Sequence, residues 1–179
     1  MTRKLLNILR RDARGAAVLE LALIAPVVAI TVAGIVDISS AYSRKLALEQ
    51  GVQRAIEKIM QTTEDTTVEG TLASEAVCQV NGTNADGTCK TSPITTANIT
   101  ITYRMECTNS GTGAVTSNTT TDADTYNDWE GCSAGYVTSR YISVTATDQY
   151  TPMFPIHFSN YNSSDGTYHL SATAGMRTA

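Results

Sequence analysis

The sequence predicts an α+β protein in which a long amino-terminal helix, transmembrane at its start and amphipathic after it, packs against a small antiparallel β-sheet head. Three features carry that prediction. Residues 16–36 are apolar with one interruption and long enough for a membrane span, which needs about 20 residues. Residues 38–59 place a stripe at alternating three- and four-residue steps, the period of one helix face. Beyond residue 60 the composition turns to Thr, Ser, Asn and Gly, and three segments alternate with the two-residue period of half-buried strands.

Before the apolar run stand Arg3, Lys4, Arg10, Arg11 and Arg14 against the single acid Asp12. An excess of positive charge beside a span holds that end in the cytoplasm, so the chain beyond the span is expected outside. Within Ala16–Val36 the only charge is Glu20. An ionised carboxylate at membrane depth costs roughly 2.5–3.5 kcal/mol on insertion scales, so an acid kept there needs a partner. An unpaired charge in lipid is a partner-seeking charge. Two other readings are an uncleaved signal anchor whose Glu20 snorkels to the headgroups and a secretory signal cut near Ser39-Ser40-Ala41. The apolar core of such a signal runs only about 7–15 residues, shorter than this one.

Gly15, Glu20, Pro26, Gly34 and Asp37, set in the stretch RRDARGAAVLELALIAPVVAITVAGIVDISSAY, resemble the amino terminus of the TadE-like minor pilins, or pseudopilins, of tight-adherence (Flp, type IVc) pili. The likeness covers residues 10–60 well. It extends loosely over 141–177, where ISVTAT, Tyr150-Thr151-Pro152-Met153-Phe154-Pro155 and Ala172–Arg177 follow the family's ending, and does not cover 62–135. The resemblance implies a pilin-like fold, a prepilin peptidase cut between Gly15 and Ala16, N-methylation of Ala16, and Glu20 as the assembly residue. It also implies a place in the bacterial inner membrane as a single-pass protein, with the major pilin and other minor pilins as partners through the amino-terminal helix. The expected organisation is a cytoplasmic leader (1–15), a transmembrane helix (16–38), its amphipathic continuation (39–61) and an extracytoplasmic, disulfide-bonded head (62–179).

In the helix, Ile38, Ala41, Lys45, Leu48, Val52, Ala55 and Ile59 mark the face that the head should cover. Residues 37–60 contain no proline, and Gly51 costs only about 1 kcal/mol relative to Ala, so one rod of roughly 65 Å can run from Ala16 to Met60. Pro26 is expected to kink it, since its ring clashes with the preceding turn and it lacks an N–H. After the rod, TTEDTTVEG reads as the connection to the head. The strand segments are Ile99, Ile101, Tyr103 and Met105, ending at Cys107; Ile142, Val144 and Ala146; and Tyr168, Leu170, Ala172, Ala174 and Met176. Between the last two, Pro152 and Pro155 exclude regular central pairing in QYTPMFPIHF, leaving a broad connection with apolar contacts.

Cys78, Cys89, Cys107 and Cys132 all lie beyond the span, where export makes disulfides the default, and four cysteines allow three pairings. Asn-Gly and Asp-Gly turn signals between Cys78 and Cys89, and a polar excursion between Cys107 and Cys132, favour Cys78–Cys89 with Cys107–Cys132. A zinc site is the rival reading, but the chain has no CxxC and its two histidines, His157 and His169, are remote in sequence from the cysteines. The acids of DADTYNDWE, Asp122, Asp124, Asp128 and Glu130, miss the EF-hand spacing and read as a solvated loop, with Tyr126 and Trp129 packing locally. No hydrolase, metalloprotease or phosphate-loop motif occurs, so no enzyme and no cofactor is expected. Removing the leader, with five positive charges and one negative, takes the formal net charge from −4 to −8, which argues against nucleic acid as a partner. The same charge should hold the head away from an anionic bilayer surface. Against the pilus subunit stands one other functional class, a membrane-tethered module whose extracytoplasmic head binds a ligand or partner while its anchor never leaves the bilayer.

Overall fold

The computed structural model describes residues 13–61, 68–154 and 161–178. The expected leader up to Asp12, the centre of the expected rod-to-head connection (62–67) and the second half of QYTPMFPIHF (155–160) lie outside the described residues. Helix α1, Ala13–Gln61, is a single 49-residue element that runs through Pro26, about 74 Å long at 1.5 Å per residue. Its first part projects beyond the head: residues 18–32 are exposed throughout. Its second part is the spine of the core, where Leu48, Val52, Ala55 and Ile56 are buried.

The covered stripe differs from the expected one at its amino-terminal end. Leu48, Val52 and Ala55 face inward as expected, but Ile38 and Lys45 are exposed, and Gly34 and Asp37 are the buried positions one turn below. Lys45 instead points along the outer surface toward Glu49, 3.8 Å away. At that end the head instead engages Asp37, which is buried, and Arg44, which is exposed but bonded to Asp148, so apolar periodicity picked their neighbours.

Helix α2, Val68–Asn81, fills part of the span for which no element was expected and includes the end of the expected connection. It lies against α1 through Leu72, Ala76 and Val77. Gly51 is what lets it come close: a Cβ there would stand 2.3 Å from Val80 Cγ2 and 2.9 Å from the Val80 backbone. The glycine is therefore a packing requirement of the helix pair, outweighing its cost of about 1 kcal/mol in propensity. At the end of α2 the Asn81 side chain donates to the carbonyls of Lys90 and Ile94 and accepts the Ile94 N–H, holding buried Ile94 beneath the helix.

The strands are β1 (Ile99–Asn109), β2 (Val115–Thr120), β3 (Tyr136–Tyr150), β4 (Tyr161–Asn162) and β5 (Thr167–Arg177), with a short 3-10 turn at Thr96–Asn98 and a one-turn helix α3 at Ala123–Asn127. They form an antiparallel sheet in the order β2-β1-β3-β5-β4. Register brings Ile101 opposite Val144 and Val144 opposite Ala174, so the alternating apolar residues meet on one face. There Tyr103, Ile142, Val144, Ala146 and Ala172 close the core against α1 and α2. The polar excursion after Cys107 contains β2, whose side chains are nearly all exposed, paired with β1. In the acidic stretch the structure has α3 rather than a loop alone. Asp122 caps it by accepting the Asp124 N–H, and Tyr126 is buried, its ring 4.9 Å from that of Tyr103 and 5.6 Å from that of Trp129.

Two disulfides tie these elements together. Cys78–Cys89 joins the end of α2 to the turn that follows it, and Cys107–Cys132 joins β1 to the segment after α3.

Candidate functional site

The site is the junction where α1 leaves the head. Asp37 is only 2% exposed, although it follows directly on the apolar run. Its carboxylate accepts three hydrogen bonds from one segment of the head: from the Tyr150 hydroxyl at 3.1 Å, the Met153 N–H at 2.8 Å and the Phe154 N–H at 2.9 Å. An anion held by two backbone amides and a phenol is matched in the way that makes burial of a charge tolerable. Burial, opposed by a hydrogen bond with Ser40 and reinforced by the Asp37 charge, pushes the Tyr150 phenol above its ordinary value, so it remains a proton donor. Two turns along the helix, Arg44 donates to Asp148 at 2.9 Å and lies over the Tyr150 ring at 5.8 Å from its centroid. Asp148 and Tyr150 extend the inward face of β3 past Ala146, which is how the strand reaches the helix with polar ends.

Pro152 has a mechanical part in this junction. Having no N–H to give a ladder, it ends regular pairing, and the chain turns so that the next two amides aim at Asp37. The expected apolar contacts of this stretch are not how Met153 and Phe154 are held. Their backbones are fastened to Asp37 while their side chains remain 63% and 40% exposed.

Of the residues singled out from sequence, Gly15 and Ala16 lie in the first turns of α1, and Pro26 lies within its continuous length. Glu20 is exposed on the apolar projection. None of these comes near the junction. The cysteines lie outside it too, at the carboxyl-terminal end of α2 and beside β1. Asp37 entered the sequence reading only as one position in a family pattern, and Arg44, Asp148 and Tyr150 had no assigned role. A signal existed: an acid just past the span and an aromatic-Thr-Pro segment near the carboxyl terminus belong to the same pattern, and the structure joins them.

One helix among the described residues is long and apolar enough to cross a membrane, and it carries a small α+β head clamped to its outer half. That construction fits a membrane anchor that carries a separate head. Residues 15–56, most of the amino-terminal helix, match the family model described as TadE-like protein. The match takes in Gly15, Glu20, Pro26, Asp37 and Arg44 but none of the sheet. No curated protein and no solved structure matches the chain.

Proposed function

We propose that the chain is the precursor of a structural minor pilin, or pseudopilin, that takes part in assembly of a tight-adherence (type IVc) pilus. In this reading residues 1–15 are a cytoplasmic leader that prepilin peptidase removes between Gly15 and Ala16. Residues 16–38 then span the inner membrane, 39–61 continue the helix, and the head stands outside. Glu20 pairs with the amino terminus of Ala16 on an adjoining chain, the pairing that would recruit the major pilin and other minor pilins along the apolar helix. Pro26 gives the spanning segment a kink that neighbouring helices accommodate. The observation that carries the reading is the TadE-like match over a helix whose first part lies bare of the head and exposes a single carboxylate.

Amino-terminal sequencing of the mature protein tests it. A chain beginning at Ala16, together with a longer membrane-bound species in Gly15→Val, is the expected result. A chain that retains Met1 or Thr2, with Gly15→Val unchanged in mass, would replace the pilus subunit by the permanently tethered binding module.

A further inference from the structure

Ala16–Val36 rises about 30 Å as a helix, the thickness of a bilayer's hydrocarbon core. Asp37 therefore falls at its outer boundary, and the segment bound to Asp37 falls there with it. The amides of Met153 and Phe154 donate to the Asp37 carboxylate, which presses their backbone against the helix at that level. Yet Met153 and Phe154 stay 63% and 40% exposed, and Val36 and Ile38, the neighbours of Asp37 in the helix, are 40% and 49% exposed. Four apolar side chains thus gather around one level of the helix, where the span ends.

Net charge led to the opposite expectation, a head held off the membrane. Repulsion between exposed charges fades over a Debye length of about 8 Å at physiological salt. Acids at this end of the head are already answered, Asp37 by its three donors, Asp148 by Arg44, and Asp165 in the β4–β5 turn by Thr167 and His169. What the head presents beside the helix is a methionine and a phenylalanine, residues suited to the headgroup boundary. We infer that Met153 and Phe154 seat in the outer interfacial layer of the bilayer, so that the membrane-resident subunit rests its head on the lipid surface at this one corner. The inference rests on the membrane-spanning reading of α1 and adds to it a second point of lipid contact contributed by the carboxyl-terminal half of the chain.

Single-tryptophan variants of the full chain test it in vesicles of phosphatidylcholine and phosphatidylglycerol that contain lipids brominated either near the headgroup or deep in the acyl chain. Trp129→Phe provides the background. Into it go Val28→Trp within the span, Phe154→Trp at the corner, and Val137→Trp as a distal control, 13 residues up β3 from Tyr150 and so about 43 Å along the strand. Met153→Trp, at the more exposed of the two positions, guards against misfolding at Phe154. The expected result is loss of emission at position 28 chiefly with deep bromines, loss at 154 and 153 chiefly with shallow bromines together with a blue shift, and none at 137. Quenching at 28 but at neither 153 nor 154 overturns the seating and leaves the anchor standing. Absence of quenching at 28 overturns the anchor and the seating together. Equal quenching at 137 and 154 means that the whole head adsorbs, and it overturns the corner contact.

Discussion

Asp37 shows how one buried side chain can join two distant parts of a chain. It satisfies two backbone amides that Pro152 has turned out of the sheet and a phenol at the end of β3, over sequence separations of 113 to 117 residues. In Asp37→Ala all three donors lose their acceptor, and a buried donor without a partner is more costly than the bond it replaces is favourable. The expected outcome is faster hydrogen exchange at the Met153 and Phe154 amides, with exchange in the centre of β3, at Val144, unchanged. Protection at 153 and 154 equal to wild type would mean that the segment is held by something else. Periodicity could not have found this residue. A stripe is read by scoring apolar positions, and Asp37 and Arg44 count against it although both face the head.

Where two helices meet, a charged bridge has a definite pH signature. Lys58 of α1 donates to one Glu75 oxygen at 2.7 Å and Gln79 donates to the other at 2.8 Å. Burial disfavours the charged form of Glu75, but the hydrogen bonds from Lys58 and Gln79 and the Lys58 charge outweigh it and hold the carboxyl below its ordinary value of 4.5. A carboxyl lowered by folding adds stability above the unfolded value and loses it as pH falls through the folded one. For a partly exposed pair the contribution is about 1 kcal/mol at most. Thermal melts of detergent-solubilised protein should therefore show wild type losing its advantage over Glu75→Gln as pH drops below about 4.5. A constant difference down to strongly acid pH would assign the effect of the substitution to packing. The α1–α2 pair itself is only half legible in sequence. Helix α1 is plain, because a long apolar run passes into residues 37–60 with no proline to stop it, whereas the stripe Leu72, Ala76, Val80 of α2 is short and interleaved with Thr, Ser, Glu and Gln. The apolar alternation of β1, β3 and β5 is visible because each buries one face. Strand β2 buries neither and looks like loop until its partner is known.

For the proposed assembly, the decisive residue is Glu20, the acid on the exposed projection of α1. If Glu20 pairs with the amine of Ala16 on a neighbour, Glu20→Gln should insert and be trimmed normally, since it removes a charge from lipid. Partnering should fail, because removing one member of a charge pair in a low-dielectric setting costs about 3–5 kcal/mol, several hundredfold or more in association. Crosslinking to pilus subunits, with a count of surface pili in a strain carrying only this copy, reads the outcome. Wild-type values in both would leave Glu20 a tolerated boundary charge. The junction at Asp37 adds a condition on how such pairing can occur. Glu20 and Asp37 are 17 residues apart on one unbroken helix, nearly five turns, which sets the two carboxylates about 100° apart around the axis. With Asp37 and Arg44 both gripped by the head, the helix cannot swivel independently beneath it. The bearing of Glu20 is thus set by the bearing of the head, like the two ends of a key: a chain that rotates to offer Glu20 to a neighbour must swing its sheet through the same arc, and if such helices assemble in lipid, their order would dictate which way each head looks outside it.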